Sequence, residues 1–172
     1  MRVAVTGANG HLGRRLLVQL VANGHEPVAI VRSGLAADQV TQVAPSAETH
    51  VVSYADAEGL GEALAGADVC IHLVGIIREV PGTSFEQAHV EATRALVRAA
   101  STARVGHIVY YSLLGADAAS DNRCLATRGT AEALFLESGI PVTVLRVGMV
   151  LGEGDYATAA LAARARKRVN VA

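Results

Sequence analysis

The chain has 172 residues, 51% of them hydrophobic but only 3% aromatic, and a formal net charge of -1 at pH 7. That length suits one domain with a substantial core, and the near-neutral balance gives no electrostatic reason to expect nucleic acid or an anionic membrane as partner. With no Trp and few rings, the core must be built from Ala, Val, Leu and Ile, which suits a parallel sheet covered by helices.

The first element predicted is a Val-rich strand at Arg2 to Val5, which runs into Gly7, Gly10 and Gly13, three glycines spaced three residues apart. Gly7 and Gly10 let the backbone approach a ligand closely, and Gly13 lets the next helix pack against the sheet. Arg14 to Ala22 is helical, with Leu12, Leu16, Leu17, Leu20 and Val21 as its apolar stripe, and Asn23-Gly24 stops it. A second strand, Val28 to Val31, completes a strand-helix-strand unit whose glycine turn reads as a nucleotide-phosphate cradle at a helix N-terminus.

Ser33 to Thr49 is polar and irregular, read as a loop with a weak helix, and His50 to Ser53 as the third strand. Asp56 caps a short helix through Leu64 that Gly66 ends, and Val69 to Gly75 is a buried strand. Ser84 and Gln87 have capping-box spacing at the start of a long helix running to Ala103. A fifth strand follows at His107 to Ser112, then a helix from Arg123 to Gly139 and a sixth strand at Val142 to Val147. An Ala-rich helix from Ala157 to Lys167 and a stub strand, Arg168 to Ala172, close the chain, the basic run around Arg164, Arg166, Lys167 and Arg168 being a solvated helix end.

Strands alternate with helices throughout, the pattern of a doubly wound α/β sheet in three α/β/α layers. Ligands of such sheets bind outside the carboxyl ends of the strands, here Gly7 to Leu12, Arg32-Ser33, Ser53-Tyr54, Leu73 to Ile76, Ser112 to Gly115 and Gly148 to Leu151. Cys70 and Cys124 lack metal or redox spacing, which points to a reduced, cytoplasmic protein. The six histidines are scattered, so no metal site is expected, and no segment has the length of a membrane span.

Thr6 to Gly13, His72 to Gly75, Tyr111-Ser112, and Leu145-Arg146 with Leu151-Gly152-Glu153-Gly154-Asp155 resemble the short-chain dehydrogenase/reductase superfamily, in its extended and atypical branches. His72 to Glu79 and His89 to Arg94 look most like the group related to a nucleotide-binding accessory subunit of respiratory complex I. The resemblance implies a Rossmann-type NAD(P)-binding domain over residues 1–157, with 158–172 a C-terminal helix and tail and the substrate region truncated or absent. It also implies pyrophosphate at Gly7, Asn9, Gly10, His11 and Leu12, adenine near Ser53 and Tyr54, and the nicotinamide side near Leu73, Val74 and Gly75.

Arg32, at the end of strand two, favours NADP over NAD: a carboxylate there would accept the ribose 2′-hydroxyl, whereas a guanidinium pairs with a 2′-phosphate. The catalytic set departs from the superfamily. Ser112 fills the Ser position, but the Tyr and Lys positions, four apart on one helix face, carry Cys124 and Arg128. Arg128 holds its proton too tightly for a relay, and a thiol at 124 needs activation to act as acid or base. The expectation is therefore a dinucleotide-binding protein without standard Tyr-Lys catalysis, serving as sensor or structural subunit. The alternative is an NAD(P)-dependent reductase, dehydrogenase or sugar-nucleotide epimerase-like enzyme with another proton donor, acting on a small molecule the residues do not identify. An uncovered sheet edge makes a homo-oligomer a further expectation.

Overall fold

A computed structural model describes residues 1–152 and 156–166. Among these, six parallel strands form one sheet in the order β3-β2-β1-β4-β5-β6. The strands are β1 (Arg2–Thr6), β2 (Glu26–Val31), β3 (Glu48–Val51), β4 (Val69–His72), β5 (His107–Leu113) and β6 (Val142–Val147). The helices are α1 (His11–Ala22), α2 (Gly34–Val43), α3 (Ala57–Ala63), α4 (Ala92–Ala103), α5 (Arg123–Leu136) and α6 (Tyr156–Ala165). This is the doubly wound Rossmann-type arrangement. The chain winds outward through β2 and β3, returns to β4 beside β1 and winds the other way, so β1 and β4 flank the switch point where a crevice opens.

Alternation along the strands splits the core in two. On β1 and β2, Ala4, Val28 and Ile30 face the cluster that includes Leu60, Leu96 and Phe135, while Val3, Val5, Ala29 and Val31 face the one with Leu17, Leu20 and Val40. Gly13, Leu17 and Leu20 form the buried stripe of α1, and Val21, expected in it, is on the exposed side.

Besides shifts of a few residues at the start of β2 and the end of α5, four elements differ from the sequence reading, each for a local reason. Ser33 accepts a hydrogen bond from Ala36 N at 3.3 Å, and Ala36 and Val40 bury one face, so α2 is a full helix rather than a weak one. β3 lies earlier than expected because Val28 pairs with Glu48 and Val31, the end of β2, with Val51; Ser53 already begins the next turn. β4 stops at His72 because its partner β1 ends at Thr6, which frees Leu73 to Gly75 to fold over the glycine turn.

The fourth is the long helix. Its capping box forms, with Gln87 N donating to Ser84 Oγ at 3.1 Å and Ser84 N to Gln87 Oε1 at 3.0 Å, but Glu86–Glu91 is π-helical before α4 begins. The wider turn lets three consecutive residues, Ala88, His89 and Val90, all face inward, which an α-helical stripe does not allow. The Glu153-Gly154-Asp155 motif, Lys167 and the stub strand at 168–172 lie outside the described residues.

Candidate functional site

At the end of β1 the chain turns at Gly7, whose φ of +72° suits a residue without Cβ; a Cβ there would sit 3.2 Å from the Leu73 carbonyl carbon. Gly10 N donates to Gly7 O at 3.0 Å and closes the turn. A Cβ on Gly13 would lie 2.6 Å from both Gly7 O and Ala8 O, so glycine is what lets α1 start against the turn. No side chain caps α1 and no acidic residue occupies its first turn, so the positive end of a 12-residue helix is open to an anion. These features fit a dinucleotide's pyrophosphate.

Tyr54 holds this cradle from below. Its phenol accepts from Gly7 N at 2.9 Å and donates to Ile30 O at 3.2 Å, and burial raises its pKa. Its ring therefore forms part of the wall while its hydroxyl supports the turn.

Gly7, Asn9, Gly10, Arg32, Ser53, Tyr54, Leu73, Val74 and Gly75 come together around one cleft of about 350 Å³. His11 and Leu12 begin α1 and do not line it. Arg32 is exposed, makes no ion pair among the described residues, and carries its guanidinium carbon 5.6 Å from the Tyr54 ring centre. Among the described residues lining this cleft, Arg32 is the one cationic side chain and Glu91 the one carboxylate. Ile76, at the expected carboxyl end of β4, begins the opposite wall, whose remainder, Gly82, Thr83, Gln87, Ala88, Glu91 and Ala92, was not anticipated from sequence because the π-helical segment was unforeseen. The carboxyl end of β4 was the signal that pointed there.

The three catalytic candidates lie behind the cleft rather than in its lining. Ser112 is fully buried and donates to Glu132 Oε1 at 2.5 Å. Glu132, itself buried, also accepts from Arg146, with Nη2 to Oε2 at 2.5 Å and Nε to Oε1 at 3.0 Å. Arg128 is 6% exposed. Its Nη1 donates to Tyr110 Oη and Tyr111 O, both at 3.1 Å, and to Val74 O at 3.4 Å, while Nε has no partner. Cys124 donates to Ile76 O at 3.7 Å, and burial raises its thiol pKa.

Two buried histidines flank this cation; both open motifs that carry the resemblance, but neither was read as a site residue because each lacks a partner at ligand spacing. His72 Nδ1 meets Thr6 Oγ1 at 2.7 Å, and its ring packs on Tyr110 and Phe135. Burial, aided by Arg128, pulls its pKa down to about 3. His89 contacts Ile76 and Thr127, and the same two causes lower its pKa to about 4. Tyr110 is equally sealed, its hydroxyl held by Arg128 and its pKa raised by burial. The arrangement can seat an anionic, elongated ligand, but it presents none of Ser112, Cys124 or Tyr110 to that ligand.

A family model described as NAD(P)H-binding matches residues 7–170. A 4-hydroxy-2-methyl-3-oxo-4-farnesyl-3,4-dihydroquinoline-1-oxide ketoreductase of Stigmatella aurantiaca is 32% identical, over 91% of this chain and 52% of that protein. A ceramide reductase of Caulobacter vibrioides is 29% identical, over 92% of this chain and 49% of that protein. Among solved structures, an NADPH-dependent quinone oxidoreductase from Escherichia coli, complexed with NADPH, superposes with a TM-score of 0.72 at 27% identity, over 95% of this chain and 54% of that one. The chain thus spans about half the length of the curated relatives it matches. Among the described residues no helix is long and apolar enough to cross a membrane.

Proposed function

The chain belongs to the NAD(P)H-binding family whose model spans residues 7–170, and on that premise we propose that it binds NADP(H) without standard Tyr-Lys chemistry. Gly7, Asn9, Gly10 and the backbone at the N-terminus of α1 would hold a pyrophosphate, Ser53 and Tyr54 would flank the adenosine, and Leu73 to Gly75 would face the nicotinamide side. One observation carries the choice of cofactor: Arg32 stands at the carboxyl end of β2, in the cleft lining, exposed and without a carboxylate partner among the described residues. A guanidinium there would pair bidentately with a 2′-phosphate, and among the described residues that strand end carries no carboxylate to accept from a free 2′-hydroxyl. The similar E. coli protein, an NADPH-dependent quinone oxidoreductase complexed with NADPH, supports the same choice.

The commitments of the catalytic candidates support the second half. Ser112 gives its proton to Glu132, Cys124 donates to a backbone carbonyl, and Arg128 has three acceptors inside the protein. When bound, the dinucleotide would supply a hydride; this chain's own residues seat it and shield the loop behind it.

Competition tests the reading. 2′,5′-ADP should displace bound NADPH at least tenfold more effectively than 5′-AMP, because only the former carries the anion that Arg32 pairs with. Equal displacement by the two would contradict it.

A further inference from the structure

Resting on that reading of the cleft, we propose that His89 is a positioning residue: its ring, as the Nδ1-H tautomer, fixes the Ile76 peptide and so sets the wall against which NADP(H) packs. The residue sits in the middle of the π-helical segment, 1% exposed, with its ring stacked on Phe85 at 5.6 Å between centres.

The tautomer follows from counting protons. His89 Nδ1 lies 2.8 Å from Thr127 Oγ1. Thr127 has one hydroxyl hydrogen, and its oxygen lies 2.9 Å from Arg123 O and 3.2 Å from Cys124 O, two groups that only accept. With that hydrogen given to its own helix, Thr127 accepts from His89, so Nδ1 carries the proton. Nε2 is then an acceptor and takes the Ile76 N–H at 3.2 Å. Ile76 O, 3.1 Å from the same Nε2, receives the Cys124 thiol instead. The opposite tautomer would satisfy Ile76 O but leave the Ile76 N–H to the open cleft, so the Nδ1-H arrangement is the one in which protein groups pair both the N–H and the carbonyl of Ile76.

The consequence reaches the cleft through the backbone. Arg128 holds Val74 O and His89 holds Ile76 N, so two buried side chains grip the loop on either side of Gly75. Val74, Gly75 and Ile76 line the cleft, as does Ala88, the neighbour of His89, whereas His89 itself does not. Cys124 acquires a role in the same system, as a donor to the gripped peptide rather than as an acid.

The test combines imidazole nitrogen NMR with NADPH titration of the full chain. In the unmodified protein the His89 signals, assigned by their loss in His89→Gln, should show a protonated Nδ1 and a bare Nε2; a protonated Nε2 overturns the proposal. His89→Leu should weaken NADPH binding about tenfold, the scale of one lost buried hydrogen bond, and His89→Gln, which can both donate and accept, should recover most of it. A purely structural role would lower the melting temperature of His89→Leu while leaving the affinity of the folded fraction unchanged, and that result also overturns the proposal. If His89→Leu does not fold, Thr127→Val, which keeps the ring and removes its acceptor, should show the same loss in weaker form; unchanged affinity there counts against it. Failure of the unmodified protein to bind NADPH would instead strike the dinucleotide reading, with the tautomer still decided by NMR.

Discussion

The terminal nitrogen Nη2 of Arg128 occupies the volume that a Cβ on Gly75 would need. Arg128, which the resemblance puts at the lysine position of the superfamily's catalytic helix, passes beneath the Val74–Ile76 loop and ends on Val74 O, Tyr110 Oη and Tyr111 O. Gly75 and Arg128 are therefore a matched pair.

That pairing predicts non-additivity. Gly75→Ala should destabilise the protein by about 1–3 kcal/mol, because the methyl displaces a buried guanidinium and breaks its hydrogen bonds to Val74, Tyr110 and Tyr111. In an Arg128→Ala background the added methyl has room, so the double variant should lose less than the sum of the singles by about 1 kcal/mol or more. Urea unfolding of the four proteins measures this, and additive losses would show that the two residues do not share the space.

The buried histidines predict a loss of stability in acid. Both have folded-state pKa values below the ordinary 6.5, His72 at about 3 and His89 at about 4, so the folded protein favours their neutral forms. Their contribution is complete above the unfolded pKa and is lost as pH falls from about 6.5 toward those values. His72 alone contributes a slope of up to about 1.4 kcal/mol per pH unit, and His89 adds a similar one over a narrower pH window. Urea midpoints between pH 7 and pH 4 should fall accordingly, with His72→Gln flattening the curve; an equal slope in that variant would remove His72 as the cause.

The glycine cradle separates stability from binding. Gly13→Ala forces a Cβ to 2.6 Å from two carbonyl oxygens, whereas Gly24, with φ of +73°, has nothing within 4 Å of a would-be Cβ. Gly24→Ala should cost about 1–2 kcal/mol of stability through its left-handed backbone alone and leave NADPH affinity intact. Gly13→Ala should also weaken NADPH at least tenfold by displacing the N-terminus of α1. Equal affinities in the two variants would dissociate the turn from the ligand.

How much of this was legible in the residues follows from where each signal lives. The glycine turn, the strand-helix alternation and Arg32 are local features, and Gly7, Gly10, Arg32, Tyr54 and Gly75 line one cleft. The strand ends were less readable, because β3 and β4 stop where their neighbours β2 and β1 stop, and register is a property of pairs. The π-helical segment was hidden because its burial of Ala88, His89 and Val90 in succession breaks helical periodicity. The roles of His72, His89 and Glu132 depend on partners 20 or more residues distant, Thr6, Thr127 and Ser112, which no spacing rule connects.

Ser112 offers a check on chemistry. Its hydroxyl is sealed against Glu132, so Ser112→Ala should cost about 1 kcal/mol of stability and leave NADPH affinity unchanged. Against a panel of carbonyl, quinone and flavin acceptors, no NADPH oxidation should depend on Ser112. Turnover in the unmodified protein that disappears in Ser112→Ala would refute the view that this chain binds the cofactor without Ser-based catalysis.

The central claim is NADP(H) recognition through Arg32, and a calorimetric titration of the unmodified protein and Arg32→Ala with NADPH and with NADH tests it directly. The account predicts tighter binding of NADPH than NADH by at least about tenfold, with Arg32→Ala erasing the difference by weakening NADPH alone. Equal affinities for the two dinucleotides in the unmodified protein would contradict it.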